Sequence, residues 1–291
     1  MGEVTCVLDA RAVLGEGPVW CPREQALYWV DIKKPAIHRF VPASGAAETW
    51  PMSVEVGALA LREQGGAVVA LRTGFGFFDF ATGEVGMLYD PEPHLHETRM
   101  NDGKCDRQGR FWAGSYHEVA DPRPLGALYR LDPDLSCHRM QGGVICSNGL
   151  GWSPDDRTMY LSDSELGRIY AFDFEPSRGA IRNRRLFASV PPEAGFPDGL
   201  TVDSEGFVWS VHWGGWRVTR YAPDGRVDRV VGLPVQQPTS CVFGGPGLRV
   251  LYITSASIEL SQEDKARGPL AGGLFAVDVG VNGLPEPRFA G

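Results

Sequence analysis

Six stretches of this chain repeat one template, at intervals of about 40 to 50 residues, which is the period of a propeller blade. The clearest copies are SNGLGWSPDDRTMYLSD (147–163), PDGLTVDSEGFVWSVHW (197–213) and NDGKCDRQGRFWAGSYH (101–117). Each opens on a polar residue near a glycine and continues as a short apolar strand. It then turns at an Asp or Ser and returns as an aromatic-bearing strand. EGPVWCPREQALYWVD (16–31) follows the same plan, and VGALALREQGGAVVALRT (56–73) and SCVFGGPGLRVLYITSA (240–256) follow it more loosely. A propeller brings equivalent positions of successive blades to one axis. The lead positions are Glu16, Val56, Asn101, Asn148, Asp198 and Ser240, so Glu16, Asn101, Asn148 and Asp198 are expected to gather around a single point.

The spacing of strands and turns predicts an all-β, six-bladed β-propeller that takes in residues 1–291 as one domain. The 37 glycines and 22 prolines suit many short strands joined by turns. Blade one is expected over about 15–50 and blade two over about 56–88, with blades three to six following from Asn101, Ser147, Pro197 and Thr239. The sixth lacks a fourth strand of its own. EVTCVLDA, near the N-terminus, alternates and has no other home, so it is expected to complete that blade and close the ring. SIELSQEDKAR (257–267) is the one helix-compatible polar segment. Two polar, Pro-containing stretches, YDPEPHLHETRM (89–100) and HEVADPRPLG (117–126), stand outside the blade pattern. They are expected to wall the opening beside the lead residues.

Charge and motifs exclude several functions. A net charge of −8, from 36 acidic and 28 basic residues, argues against a nucleic-acid partner, which needs a basic footprint. No apolar run is long enough for a membrane helix, and no signal peptide is visible, so a cytoplasmic protein is expected. The six cysteines lack C-x-x-C pairs and read as reduced and mostly buried. No G-x-S-x-G elbow, dinucleotide fingerprint or P-loop occurs.

Glu16, Asn148 and Asp198 are two carboxylates and an amide, an oxygen set suited to Ca²⁺, Mg²⁺ or Mn²⁺, and one that Zn²⁺ also accepts. Asp-Gly and Asn-Gly also serve as plain turns. A turn, however, does not require the polar residue to lead the inner strand each time. Arg99 stands two residues before Asn101 and reads either as a loop arginine or as a fork of donors for an oxygen-rich substrate. His94 and His96 have no third histidine at ligand spacing and read as exposed or lid residues. Trp29, Trp112, Tyr160, Trp209 and Tyr252 recur at matching blade positions and read as packing between blades.

LGEGPVW (14–20), RMNDGKCDRQGRFWAGS (99–115), SNGLGWSPD (147–155), PDGLTVDSEGFVW (197–209), TSCVFGG (239–245) and GGLFAV (272–277) together resemble the SMP-30/gluconolactonase, or regucalcin-like, family. The motifs run from end to end in the family's order. The resemblance implies a six-bladed propeller with one divalent metal on the axis, held by Glu16, Asn148 and Asp198. It implies substrate contacts from Arg99 and Asn101, and Asp198 as general base. Where the family often reads G-T-M followed by an acidic residue, this chain has GSYHE, which makes Glu118 the candidate acidic substrate contact. The Gly214-Gly215 pair, with Trp213 and Trp216, is a further place where the pocket differs among members.

The expected function is metal-dependent hydrolysis of a sugar-acid lactone. Hydrolysis of another ester or an organophosphate on the same site is an alternative, as is a calcium-binding regulatory protein of the same fold. A WD40-like scaffold is disfavoured, because its signatures are absent and polar side chains are aimed at the axis.

Overall fold

Alternate residues of a strand face opposite sides of its sheet, and in this chain both sides are apolar. In ALYWVD (26–31), Tyr28 and Val30 pack toward the second blade, while Leu27 and Trp29 pack toward the sixth. The same division through the chain makes six apolar clusters, one between each pair of neighbouring blades. A ring of sheets is the arrangement that covers both faces of every one.

The computed structural model describes residues 2–291. They form six four-stranded antiparallel sheets arranged as a six-bladed propeller. The innermost strands are Gly15–Cys21, Val56–Leu61, Thr98–Cys105, Ser147–Trp152, Phe196–Val202 and Pro238–Gly244. The ring closes as expected: Thr5–Leu8 pairs antiparallel with Leu274–Asp278 and supplies the outer strand of the last blade. Trp29, Trp112, Tyr160, Trp209 and Tyr252 are all buried between blades. The six cysteines are free.

The α-helix is shorter than the polar segment suggested, covering only Gln262–Arg267 behind a Ser261 cap. Residues 257 and 258 are held elsewhere, since both of their N–H groups donate to Val13 O, at 3.1 and 3.0 Å. No helix among the described residues is long and apolar enough to cross a membrane.

The Asp-centred turns of the template share one device. In blade five, Asp203 Oδ1 accepts the N–H groups of Glu205 and Phe207, both at 3.0 Å. Its Oδ2 accepts Trp209 Nε1 at 2.9 Å and Arg220 Nη2 at 2.7 Å. Asp106 repeats the pattern in blade three, with Oδ1 on Gln108 N and Arg110 N and Oδ2 on Trp112 Nε1. One carboxylate thus shapes the turn and anchors the indole that fills the neighbouring interface. Asp203 is fully buried, and its loss leaves Arg220 short of a counter-charge, a class of change that costs about 3–5 kcal/mol. Glu205 and Asp228 also pair with Arg220, so Asp203→Ala is expected near the lower end, about 3 kcal/mol. Urea unfolding at pH 7 measures this, and a loss below about 1 kcal/mol would contradict the account.

Candidate active site

Each inner strand breaks register with its neighbour around its lead position. The breaks fall between Glu16 and Val19, Val56 and Ala58, Met100 and Gly103, Asn148 and Leu150, Pro197 and Leu200, and Pro238 and Cys241. A bulge inserts an extra residue and re-aims a side chain. The Asn-Gly and Asp-Gly pairs are therefore axial bulges inside strands, not hairpin turns. Their glycines are needed because inner strands meet there. A Cβ on Gly149 would run into the carbonyl oxygen of Asp198, and one on Gly199 would stand 2.7 Å from Ser240 Cα.

The approach to the lead residue is pinned from the second strand of the blade. Asp31 accepts the N–H groups of Val13 and Leu14, at 2.8 and 3.0 Å, just ahead of Glu16. Asp163 does the same for Ile145 and Cys146, both at 3.2 Å, just ahead of Asn148.

One cavity of about 530 Å³ is lined by Glu16, Arg99, Asn101, Glu118, Asn148 and Asp198 together. Every site residue predicted from sequence thus reaches the same space. Val56 and Ser240, the remaining lead positions, do not line it. Glu16, Asn101, Asn148 and Asp198 are at most 6 % exposed. Asn148 Oδ1 and Asp198 Oδ1 are buried without a hydrogen-bond partner, while Glu16 Oε2 accepts Gly17 N at 3.1 Å. Burial, and then the neighbouring Asp102 charge, hold Glu16 well above the ordinary carboxylate range. Burial, Glu16 and Asp102 do the same to Asp198.

Unpartnered acceptors beside two carboxylates destabilised as anions are what a hard cation would satisfy, and the donor set fits one. The described residues hold no metal-binding cluster of three His, Cys, Asp or Glu side chains. The candidate set instead counts the Asn148 amide as its third donor.

Asp102 was not singled out from sequence, although it is buried on the same axis. Burial raises it above the usual carboxylate range, against the pull of Lys104 and of the Gly103 and Gly149 N–H groups. Lys104 Nζ lies beyond it at the far end of the axis, donating to Leu200 O at 3.3 Å and pairing with Glu286 at 3.2 Å.

Arg99 proves to be a strand residue, 5 % exposed, and not a surface loop arginine. Its Nε donates to Glu118 Oε1 at 2.7 Å and its Nη1 to Asn101 Oδ1 at 2.6 Å. Asn101 Nδ2 in turn donates to Ser147 O at 2.9 Å, so both ends of that amide are engaged within the protein. Glu118 Oε1 also receives Lys33 Nζ at 2.7 Å, and Oε2 receives Arg72 Nη1 at 3.2 Å. Lys33 and Arg72 share a second carboxylate, Glu55. This five-residue ionic network joins blades one, two and three at the cavity wall. Of its members only Arg99 and Glu118 were legible from sequence.

The expected walls need correction. Within 89–100 only Arg99 lines the cavity. Glu92 turns back onto blade three, accepting Ser115 Oγ at 2.6 Å and Tyr129 OH at 2.9 Å, and His94 and His96 are exposed. The 117–126 stretch does contribute, through Glu118, Val119 and Ala120. The opposite wall comes from Phe196, Trp213, Ile258 and Glu259. Trp216 lies outside the lining and stacks beneath Arg267, whose guanidinium is 5.0 Å from the ring centre.

Comparison with known proteins identifies the family and the fold. Residues 14–257 match the SMP-30/gluconolactonase/LRE-like region, and the chain belongs to that family. It is 43% identical to the 6-deoxy-6-sulfogluconolactonase of Pseudomonas putida, over 98% of each chain. It is 39% identical to the L-arabinolactonase of Azospirillum brasilense, over 100% of this chain and 96% of that one. Among solved structures, the calcium-binding protein regucalcin from Agrobacterium tumefaciens superposes with a TM-score of 0.94 at 26% identity, covering 99% of this chain and 97% of that one.

Glu118 offers a direct check on the network. Although burial opposes it, the Arg99 charge and the bonds from Lys33 and Arg99 bring its pKa down to about 2. A folded-state value below the unfolded one means that ionised Glu118 stabilises the fold above pH 4.5, and that this is lost as the pH falls toward about 2. Glu118→Gln is expected to lose about 2 kcal/mol at neutral pH, less than for a fully buried pair because Glu118 is partly exposed. The gap from wild type should narrow between pH 4.5 and pH 3. Urea midpoints across that range measure it, and a pH-independent gap would contradict the ionic account.

Proposed function

We propose that Glu16, Asn148 and Asp198 hold one divalent cation, and that the cavity hydrolyses the ring ester of a sugar-acid lactone. The observation that carries this reading is the pair of partnerless buried oxygens, Asn148 Oδ1 and Asp198 Oδ1, in the cavity that Arg99 also lines. The lactonase names of the two curated relatives support the reaction class. The oxygen donors suit Ca²⁺, Mn²⁺ or Mg²⁺ and admit Zn²⁺. When bound, the cation supplies Lewis-acid polarisation of the ester.

The protein's own groups do the rest. Arg99 has two of its nitrogens committed to Glu118 and Asn101, which fixes the plane of its fork and leaves Nη2 toward the lactone's oxygens. Asn101 and Glu118 then act on substrate mainly by holding Arg99. Asp198 takes a proton from the attacking water as the new C–O bond forms, and returns it to the ring oxygen as the old bond breaks. A carboxylate beside a cation is a weak base, so Asp198 acts chiefly by steering the proton of a water whose acidity a bound cation would raise. A simple cation buffer gives no reason for a buried arginine clamped beside the ligands. The net charge of −8 supports a small-molecule partner over nucleic acid, and the six free cysteines support a reducing compartment such as the cytoplasm.

The test is a panel of aldonolactones and aryl esters assayed with and without chelator, against a blank for spontaneous ring opening. Lactone turnover that is lost on chelation and restored by a divalent cation is expected. Turnover of aryl esters alone would contradict the reading. Metal-saturated Asp198→Asn should lose at least about 100-fold in kcat and bind the cation more weakly, and wild-type kcat would remove Asp198 from the base role. Arg99→Ala should lose about ten-fold or more in kcat/KM with metal affinity nearly unchanged, as measured by metal titration and lactone kinetics on one preparation.

A further inference from the structure

The amide of Asn148 is held in one orientation by a hydroxyl outside the proposed ligand set. Asn148 Nδ2 donates to Ser164 Oγ at 3.0 Å, and Ser164 Oγ donates to Pro197 O at 2.7 Å. The polarity of this chain is forced. Pro197 O is a carbonyl and only accepts. It takes the single hydroxyl hydrogen of Ser164, so Ser164 Oγ turns a lone pair toward Asn148. Only the nitrogen end of the amide satisfies that lone pair. Asn148 Nδ2 is also 3.9 Å from Cys146 Sγ. Asn148 Oδ1 is left buried, partnerless and on the cavity.

Ser164 also connects two blades. It opens the 3-10 turn Ser164–Leu166, directly after blade four's second strand, Thr158–Asp163. Its N–H donates to Cys146 O at 3.2 Å, two residues ahead of Asn148. Its hydroxyl reaches the carbonyl of Pro197, the residue before Asp198 in blade five. One residue therefore touches the strand that carries Asn148 and the strand that carries Asp198.

We propose that Ser164 is a positioning residue. It selects the amide orientation that presents Asn148 Oδ1 to a divalent cation, and it registers that oxygen against Asp198. This rests on the metal reading above. Without the hydroxyl the amide turns over at small cost and offers its NH₂ group, which cannot ligate. Groups outside the ligand set that orient metal ligands commonly contribute 10- to 100-fold in affinity.

The experiment is Mn²⁺ titration of the chelator-stripped full chain, in wild type, Ser164→Ala, Ser164→Thr, Asn148→Asp and the Ser164→Ala/Asn148→Asp double variant. Thermal melting of each stripped protein is measured alongside. Ser164→Ala is expected to bind Mn²⁺ about ten-fold or more weakly, while Ser164→Thr, which keeps the hydroxyl, stays within about threefold of wild type. An aspartate carries an oxygen at either end, so it has no wrong orientation. Adding Ser164→Ala to Asn148→Asp should then cost less than about threefold, a coupling the double-mutant cycle reads directly. Wild-type affinity in Ser164→Ala, or an undiminished Ser164→Ala penalty in the Asn148→Asp background, would overturn the assignment. Wild type that binds no divalent cation would instead overturn the metal reading beneath it, so the two failures are distinguishable.

Discussion

Like charges buried on one axis are the constraint on which this site depends. Glu16, Asp102 and Asp198 come from three blades and all are buried; Asp102 raises the proton affinity of Glu16, and both raise that of Asp198. Protein cations answer only part of this. Lys104 approaches Asp102 from the far end of the axis and shares its charge with Glu286, and Arg99 is clamped by Glu118. On the proposed reading, a dication held by Glu16, Asn148 and Asp198 would relieve the repulsion and satisfy the two partnerless acceptors at once. The propeller makes such a concentration tolerable, because the cost is spread over a ring whose six interfaces are apolar and closely packed.

The second blade shows how the labour is divided. Its lead residue is Val56, so it sends no polar group to the axis. It contributes Glu55 and Arg72 to the wall instead, where they complete the network that ends on Arg99. On the proposed reading the axial groups set the chemistry, and the wall sets where a substrate's oxygens can sit. Arg99 is thus held by contacts separate from the proposed cation ligands, so each set can be altered without dismantling the other.

The blades and the convergence of Glu16, Asn101, Asn148 and Asp198 were legible because a repeat places equivalent residues at equivalent radii. Asp102 escaped notice because the register break in blade three spans Met100 to Gly103, so that Asn101 and its neighbour both turn inward. The ionic wall was hidden for another reason. Lys33, Glu55, Arg72 and Glu118 are spread over three blades, and no local spacing links them. Polarity and proline marked 90–97 correctly as irregular chain, although Tyr89 and residues 98–100 proved to be strand. They carried no information about direction, and Glu92 ties that loop to blade three and away from the cavity. Of the opposite wall only Trp213 was legible; Ile258 and Glu259 were missed because they sit in a segment that looked helical, until Val13 O drew its first amides away.

The central claim is that the axial oxygens form one cation site, and crystals of the protein grown with Mn²⁺ test it most directly, by anomalous diffraction at the manganese edge. The account predicts a single strong peak within about 2.0–2.6 Å of a Glu16 carboxylate oxygen, Asn148 Oδ1 and Asp198 Oδ1. No peak on the axis, or an ion held by other residues, would contradict it.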